Sequence, residues 1–430
     1  MQTHFSLAQL TDPDNRESEK ILRACVHCGF CTATCPTYVL LGDELDGPRG
    51  RIYLLKEMLE SNRPATPKLV KHIDRCLSCL SCMTTCPSGV NYMHLVDHGR
   101  RHIEATYRRP LMDRLARSLL AAVLPRPGLF RGLMLGAWVA KPLAPLLPAR
   151  LATMLRLAPT AIPGPSAVDR PQVFAAQGPR KKRVALLAGC VQQVIEPGFN
   201  EATVRLLTRH GAEVVVVRGV GCCGALPHHM GREPTDRIRA NIDAWIGEAE
   251  RNGLDAIVVN ASGCGTMLKD YGFILRTDPK YAGKAARVAA LARDISEVMQ
   301  ELGLKRPAIA TGLRVAYHSA CSLQHGQKIH NGPRELLQRA GFSVVDVPEG
   351  HLCCGSAGTY NMTQPELAET LKARKLRNIA SVAPEIIAAG NIGCITQLRA
   401  GADAPIVHTV ELLDWATGGP RPKAIGDTDR

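Results

Sequence analysis

Residues 25–36 read CVHCGFCTATCP, and residues 76–87 read CLSCLSCMTTCP. Each stretch carries four cysteines in the order C-x2-C-x2-C-x3-C, and a proline follows the last of them. The two-residue gaps let three consecutive thiolates curl around one iron–sulfur cubane, while the following chain carries the fourth cysteine to a second cubane. A zinc ribbon pairs two C-x2-C knuckles and needs neither the third cysteine nor the closing proline. The spacing therefore predicts two [4Fe–4S] clusters rather than zinc sites or disulfides.

The exchange of the fourth cysteine between the two quartets also predicts which thiolates bind which cluster. The predicted ligand sets are, for the first cluster, Cys25, Cys28, Cys31 and Cys86, and, for the second cluster, Cys76, Cys79, Cys82 and Cys35.

Residues 47–61, between the quartets, predict a helix that starts near Pro48 and buries one apolar face. The residues of that face are Ile52, Leu55, Met58 and Leu59. Arg49 and Arg51 at the start of this helix have two interpretations. They stabilise the negative charge of a thiolate-bound cluster, or they lie in solvent.

The composition indicates a globular protein of about two to four domains, because the chain has 430 residues, 45% of them hydrophobic and 21% charged. The net charge of +14 indicates an anionic partner or surface. Aromatic residues make up only 4%, which argues against a protein that stacks nucleic-acid bases. The first twenty residues are polar and lack an apolar signal core, so we expect a cytoplasmic protein whose 16 cysteines bind metal or carry redox chemistry. Since no uncharged apolar run approaches the ~18–20 residues of a membrane span, we expect at most peripheral membrane contact.

The other eight cysteines form an internal repeat. In each half, 31 residues lead from a single cysteine to a C-C-G motif, and 39 or 40 more lead to a fourth cysteine. The two halves are offset by about 131 residues with every cysteine in register, which indicates a duplication. The cysteines are Cys190, Cys222, Cys223 and Cys264 in the first half, and Cys321, Cys353, Cys354 and Cys394 in the second.

Each of these cysteines follows an apolar, β-branched stretch with a glycine-rich end, such as RVALLAGC or DAIVVNASGC. Helix-length stretches that end at glycine alternate with them, which predicts α/β units around a mostly parallel sheet. Since sites in such sheets form beyond the carboxyl ends of the strands, the four thiols of each half should converge there. An iron–sulfur cluster, a zinc ion and a group of reactive thiols all remain open as their role.

Residues 111–159 combine many leucines with one acid and seven bases. Amphipathic helices in a membrane interface are one interpretation, and a helical connector that packs on this protein or on a partner subunit is the other. Residues 159–179 are rich in proline and alanine and predict a linker. The acid is Asp113, and the bases are Arg114, Arg117, Arg126, Arg131, Lys141, Arg150 and Arg156.

The predicted domains are a two-cluster ferredoxin-like domain at 15–110 and a connector with linker at 111–180. Two cysteine-rich repeats follow, at 181–310 and 311–420.

These motifs, together with the strings RACVHCGFCTATCPTYVLLGDELDGPRGRIYLLKEMLE, ASGCGTMLKDYG and HLCCGSAGTYN, resemble the iron–sulfur subunits of glycolate oxidase (glycolate dehydrogenase). The resemblance covers residues 21–413. It implies an α-helical ferredoxin-like domain followed by a duplicated α/β cysteine-rich domain. The wider cysteine-rich family, which includes heterodisulfide reductase, ends each block with C-x2-C, whereas Ala261 and Asn391 occupy the first of those positions here. A single [4Fe–4S] cluster in each block, or none, remains compatible with four thiols.

The resemblance implies an electron-transfer subunit of an oxidoreductase that acts on a CH–OH donor. A partner flavoprotein would oxidise glycolate to glyoxylate on FAD, and this chain would pass the electrons to a membrane quinone or another acceptor. The chain has no G-x-G-x-x-G flavin fingerprint of its own before a helix. A lactate or glycerol-3-phosphate dehydrogenase subunit is the related alternative. A zinc-dependent nucleic-acid-binding protein and a scaffold held together by its clusters are the others.

Five histidines lie close in sequence to the repeat cysteines, where an imidazole can supply a missing ligand or a proton path. A hydrogen-bonded loop residue is the ordinary alternative for each. They are His228, His229, His318, His325 and His351.

Overall fold

The computed structural model of the chain describes residues 1–146, 162–309 and 312–426. Arg150, Arg156 and Pro159 of the predicted basic segment lie outside the described residues.

The N-terminal domain is built from short helices around the two cysteine quartets. Proline stands at the first position of several of them, where its missing N–H costs no hydrogen bond. The helices are α1 (Pro13–Ala24), α2 (Phe30–Ala33), α3 (Pro36–Leu41), α4 (Pro48–Ser61), α5 (Pro67–Asp74), α6 (Ser81–Thr85) and α7 (Tyr92–Thr106).

Helix α4 confirms the helix predicted for residues 47–61. Ile52, Leu55, Met58 and Leu59 are buried on the predicted face and share a core with α1, α5 and α7. Burial of each such side chain stabilises the fold by about 1.5–3 kcal/mol, so this small core holds the cysteine loops on its surface.

The two repeats each form a parallel four-stranded sheet with the same topology. Their strand orders are β3-β2-β4-β5 and β7-β6-β8-β9, which is 2-1-3-4 in both. The strands are β2 (Lys182–Leu186), β3 (Ala212–Val216), β4 (Ala256–Val259), β5 (Ala292–Asp294), β6 (Arg314–His318), β7 (Ser343–Asp346), β8 (Ile386–Ala389) and β9 (Ile406–His408).

Helices cover both faces of each sheet. The central strands β2, β4, β6 and β8 are buried along most of their length, as expected for a parallel sheet between helical layers, whereas the edge strand β7 is partly exposed. The helices of the repeats are Gln192–Ile195, Gly198–Arg209, Ala225–His229, Thr235–Asn252, Ser262–Lys269, Tyr271–Ile274, Ala282–Leu291, Ile295–Leu302, Gly332–Arg339, Tyr360–Thr363, Pro365–Ala380, Ile392–Arg399 and Thr409–Ala416, with a π-helical turn at Ser322–Gly326.

The two repeats share one hydrophobic core. The first long helix of repeat 1, Gly198–Arg209, packs against the last helix of repeat 2, Thr409–Ala416. The last helix of repeat 1, Ile295–Leu302, packs against the first long helix of repeat 2, Gly332–Arg339. This reciprocal packing places the sheets about a pseudo-two-fold axis, with a shared helical layer between them. The duplication therefore forms one structural unit rather than two separate modules.

The predicted linker contains a structural element that the sequence analysis missed. Strand β1 (Gln172–Phe174) lies within it and pairs antiparallel with β3 at the sheet edge. An edge strand of three residues carries too short an alternating pattern to be distinguished from a linker.

Upstream of the linker, α8 (Leu111–Val123) and α9 (Pro127–Ala140) form the connector. Leu120, Leu124 and Phe130 are buried against Val194 of repeat 1, so one face of this helix pair packs on the protein's own domain. No described helix is long and apolar enough to cross a membrane.

The N-terminal domain docks on both repeats through polar contacts. His94 Nε2 lies 2.8 Å from Asp270 Oδ1 of repeat 1. Thr84 Oγ1 lies 2.8 Å from His325 Nδ1 of repeat 2, and Tyr360 donates a hydrogen bond to the carbonyl oxygen of Arg75 at 3.1 Å. The cysteine loops therefore face the repeats rather than solvent on that side.

Gly231 tests this docking, because it has a φ of +81° and a Cβ there would lie 2.3 Å from the carbonyl oxygen of Arg100 on α7. We expect Gly231→Ala to lower the stability of the folded chain by about 2–4 kcal/mol, from left-handed backbone strain plus overpacking. Gly42, which follows α3, is left-handed with a φ of +65° and has open space around it, so Gly42→Ala should cost only the strain, about 1 kcal/mol. Thermal unfolding at one scan rate compares them, and equal shifts in Tm would contradict the close contact.

Candidate functional site

The two cysteine loops have the same backbone shape. His27 and Gly29 flank Cys28 with positive φ angles of 56° and 89°, and Ser78 and Leu80 flank Cys79 with 51° and 63°. Two left-handed residues around the middle cysteine turn the chain tightly, so all three thiols of the loop face one point. A left-handed non-glycine residue costs about 1–2 kcal/mol, and such strain persists at sites where the surrounding structure imposes it.

The fourth cysteine of each quartet lies beside the other loop. Cys86 lines the small cavity formed by Cys25, Cys28 and Cys31, whereas Cys35 lines the one formed by Cys76 and Cys79. Cys82 lines both cavities. The structure thus brings together the two groups of four thiols that the spacing predicts as ligand sets, and the groups adjoin each other.

Burial decides the chemistry of these thiols. It raises the pKa of Cys31 to about 11 and raises the pKa of Cys79 and Cys82 well above the usual thiol value. Free thiols of this kind stay protonated at neutral pH and are poor nucleophiles. A bound metal ion displaces these protons, so the groups suit metal ligation rather than thiol chemistry.

Arg51 and Arg49 on α4 have different surroundings. Arg51 is buried, with Nη1 3.8 Å from Cys35 Sγ and Nη2 donating a hydrogen bond to Thr37 Oγ1 at 3.0 Å. Burial by itself lowers the pKa of Arg51, but the nearby acidic groups outweigh this effect and raise the pKa above its usual value, so the guanidinium stays charged. These groups are Cys76, Tyr92, Cys35 and Asp46. Arg49 pairs with Glu44 at 2.6 Å, donates a hydrogen bond to the carbonyl oxygen of His27 at 3.3 Å, and lines the cavity of the first group of thiols. The cluster-stabilising interpretation therefore suits Arg51 beside the second group, and half-buried Arg49 lies beside the first.

Asp46 is a buried carboxylate that the sequence analysis missed. It contacts Arg51, Arg75 and His72 at 3.4, 2.7 and 3.0 Å. A carboxylate is unexpected beside thiols that become anionic when they bind metal, because like charges repel. The basic residues that surround Asp46 in space explain its presence. It holds Arg51 in place beside Cys35.

The eight cysteines of the repeats line one cavity of about 250 Å³. Within each repeat they follow the first, second and third strands of the 2-1-3-4 sheet, where the direction of the chain connections switches and open α/β sheets bind their ligands. Cys76 and Cys79 of the N-terminal domain line the same cavity. The prediction that four thiols of each half converge at the carboxyl edge agrees with this arrangement.

Within each repeat the thiols lie close enough to shift one another's pKa. In repeat 1, the neighbouring thiols of Cys190 and Cys223 lower the pKa of Cys222, whereas those of Cys222 and Cys264 raise that of Cys223. In repeat 2, the thiols of Cys353 and Cys394 lower the pKa of Cys354 well below its usual value. Thiols this close are suited to sharing one metal group in each repeat.

The repeats are not chemically equivalent. His318 ends β6 beside Cys354 and Cys394, whereas Leu187 holds the corresponding place in repeat 1. Asn391, at the position where the wider family has a cysteine, donates a hydrogen bond from Nδ2 to Cys394 Sγ at 3.5 Å. Ala261 at the matching place in repeat 1 has no such group.

The other histidines lie in different surroundings. His228 Nε2 lies 3.3 Å from Asp97 Oδ2 at the interface with α7, and His229 lines the thiol cavity. His325 bonds Thr84 and the backbone oxygen of His351, and burial lowers its pKa to about 4. His325 is therefore a neutral docking residue.

The three thiol sites form a row. Cys82 lines both N-terminal cavities, and Cys76 and Cys79 line the second of these as well as the cavity of the repeats. Leu77 packs with Cys321, Cys353 and Tyr360 in one cluster. Cys28, at the far end, is exposed, while every other cysteine is buried or partly buried. The row thus runs from the molecular surface to the interior.

Comparison with known families agrees with this architecture. Residues 24–90 match the family described as 4Fe-4S dicluster domain, and residues 184–269 and 315–399 match that described as Cysteine-rich domain. A structure described as a hypothetical protein from Helicobacter pylori superposes with a TM-score of 0.55 at 12% identity, covering 96% of this chain and 74% of its own, which shows similarity of fold alone. The predicted fold, a ferredoxin-like domain with a duplicated α/β cysteine-rich domain, is confirmed.

Three relatives are similar in sequence. The glycolate oxidase iron-sulfur subunit of Escherichia coli (strain K12) is 45% identical over 97% of this chain and 99% of its own length. The probable glycolate oxidase iron-sulfur subunit of Bacillus subtilis (strain 168) is 30% identical over 94% and 96%. Lactate utilization protein A of Oceanobacillus iheyensis is 26% identical over 54% of this chain and 96% of its own length. On this evidence, the chain belongs to the family of glycolate oxidase iron–sulfur subunits.

Proposed function

We propose that this chain is the electron-transfer subunit of a multi-subunit, flavin-dependent glycolate oxidase. The observation that carries the proposal is the row of three thiol sites that begins at the exposed Cys28 and ends in the cavity between the repeats. A partner flavoprotein would oxidise glycolate to glyoxylate on FAD, and this chain would conduct the electrons away from it. The enzyme's CH–OH chemistry then lies on the partner, and no residue of this chain is catalytic.

The two N-terminal groups of thiols suit one [4Fe–4S] cluster each. Cys25, Cys28, Cys31 and Cys86 would hold the first cluster, and Cys76, Cys79, Cys82 and Cys35 the second. Each set offers four sulfurs from both quartets around one cavity, and all of these cysteines except Cys28 are buried or partly buried. When bound, such clusters supply one-electron redox chemistry. Arg51 offsets the charge of the second set.

Glycolate is favoured over lactate as the substrate of the complex. The relative named for glycolate oxidase is 45% identical along nearly the whole chain, whereas those named for lactate utilization reach 26% over about half of it. A related lactate or glycerol-3-phosphate dehydrogenase stays the alternative, because the substrate pocket would lie on the flavoprotein. The match to a 4Fe-4S dicluster domain argues against the zinc-dependent nucleic-acid-binding alternative.

We propose a membrane quinone as the electron acceptor. The connector, helices α8 and α9, would contact the cytoplasmic face of the membrane. The outer faces of α8 and α9 expose an apolar surface beside the exposed bases Arg114 and Arg126. Apolar side chains together with bases suit an anionic lipid interface. The exposed apolar residues are Leu111, Met112, Leu115, Leu119, Leu129, Leu133, Leu135, Trp138, Val139 and Leu146.

The ligand sets are tested by serine substitutions compared in pairs. Cys31→Ser and Cys86→Ser should each cost about four irons per chain and leave the same cluster signal in the electron paramagnetic resonance spectrum. Cys79→Ser and Cys35→Ser should each remove the second cluster and leave the signal of the first. Iron and acid-labile sulfide analysis of anaerobically purified chains supplies the counts. If Cys86→Ser instead matched Cys79→Ser, the exchange of the fourth cysteine would be wrong.

The relay role is tested in the assembled complex. Cys31→Ser should abolish reduction of the acceptor by glycolate while rapid reduction of the partner flavin survives, because the substrate chemistry lies before this chain. Stopped-flow absorbance of the flavin and a quinone-analogue assay separate the two steps. Thr34→Ala, in the same loop, removes no sulfur and should retain both. Simultaneous loss of both activities in an intact complex would argue against a relay.

Membrane contact is tested with vesicles rich in anionic lipid. The double variant Leu115→Glu/Leu133→Glu should lower co-sedimentation at least about tenfold, because two leucines contribute about 3–6 kcal/mol when buried in the interface. The matched control is Val173→Glu, an equally exposed apolar residue on β1. Equal binding of both variants would place the connector surface against a protein subunit instead.

A further inference from the structure

His318 is a buried histidine with an unused nitrogen. It is the last residue of β6, at the carboxyl edge of the second sheet, and only 1% of its surface is exposed. Its Nε2 has no hydrogen-bond partner among the described residues. A buried polar atom without a partner costs about 1–3 kcal/mol, so the native state must gain something at this position to retain it.

Two sulfurs lie close to the imidazole of His318. One ring nitrogen of His318 and the Sγ atoms of Cys354 and Cys394 all lie within 4.8 Å of one another, and all three residues are buried. In a tetrahedral zinc site, metal–sulfur distances of about 2.3 Å and metal–nitrogen distances of about 2.0–2.1 Å place the ligand atoms about 3.5–3.8 Å apart. The three atoms are therefore close enough to reach one metal ion after small movements of their side chains.

The rest of the site favours anionic thiolates. Asn391 donates a hydrogen bond to Cys394 Sγ at 3.5 Å, in the way outer residues orient metal ligands. Lys375 is 2% exposed, donates a hydrogen bond to the backbone oxygen of Glu349 at 2.8 Å, and interacts electrostatically with the cysteines of repeat 2. Cys321 and Cys353 line the same cavity and offer the fourth ligand that a tetrahedral ion needs.

Repeat 1 shows what the duplicated site is like without this histidine. Leu187 occupies the position that corresponds to His318, and Ala261 the position of Asn391. Both are buried and apolar. The two halves keep their four cysteines in register but differ in the two polar residues beside them. This difference indicates that the second half binds its metal with a different ligand set.

We propose that His318, through Nε2, binds one metal ion together with the thiolates of Cys354 and Cys394, which makes repeat 2 a mixed nitrogen–sulfur site. Imidazole and thiolate together suit a borderline-soft ion, either Zn²⁺ or one iron of a cluster. In the occupied site both cysteines would be thiolates, and the imidazole would bind through an unprotonated nitrogen. The proposal goes beyond the electron-transfer function, which rests on the N-terminal sites and holds if repeat 2 binds metal through sulfur alone.

The experiment uses the full chain, purified anaerobically, with zinc and iron counted per chain. X-ray absorption at the zinc edge and nitrogen hyperfine coupling to reduced iron clusters distinguish the two metals. We expect one imidazole nitrogen in one of these signals, because the proposed N-terminal ligand sets contain only sulfur. Absence of such a nitrogen from both signals in the unaltered chain would overturn the proposal.

Three variants locate that nitrogen. His318→Leu, which copies Leu187, should lose the nitrogen signal and at least one metal ion per chain. His318→Cys should retain the metal without the nitrogen signal, and it keeps the test decisive if the leucine variant folds poorly. His351→Leu changes a nearby histidine of the same repeat and should retain both. Persistence of the nitrogen signal in His318→Cys would assign it to another residue and contradict the proposal.

Discussion

Buried thiols that must meet at one point constrain this chain more than any other interaction. Sulfur atoms separated by 40 or more residues come together beside each cysteine loop, and burial raises the pKa of thiols such as Cys79 and Cys82. A metal ion would displace the protons of these thiols. Left-handed residues such as Ser78 and Leu80 are tolerated there because the convergence of the thiols fixes the loop.

The convergence of thiols at one point also explains the arrangement of the two repeats. A 2-1-3-4 sheet opens a crevice at its switch point, and each repeat fills it with cysteines from three successive strand ends. Reciprocal helix packing about the pseudo-two-fold axis turns both crevices toward one cavity. The two repeats share this cavity but differ in sequence beside it, where repeat 1 has Leu187 and repeat 2 has His318 at the corresponding position.

The positively charged side chains lie in two kinds of place, near the buried thiols and at the surface. Arg51 and Lys375 are buried near thiols, where a positive charge offsets anionic ligands, and Asp46 holds Arg51 in position. Such buried pairs contribute little net stability but fix orientation, since removing one partner leaves an uncompensated charge. The remaining basic excess lies at the surface, with Arg114 and Arg126 beside the apolar face of α8 and α9.

The sequence by itself determined the duplication, the alternation of strands and helices, and helix α4, because cysteine spacing and hydrophobic periodicity are local. It left open that the cysteines of both repeats line one cavity. It did not determine β1, whose three residues pair only at a sheet edge. Nor did it distinguish His318 from His325, which lie seven residues apart, one beside two sulfurs and the other bonded to Thr84. The order of the sites from Cys28 to the cavity, and the role of Asp46, depend on contacts between distant segments. Only the tertiary structure decides these, because no local pattern records which segments meet in space.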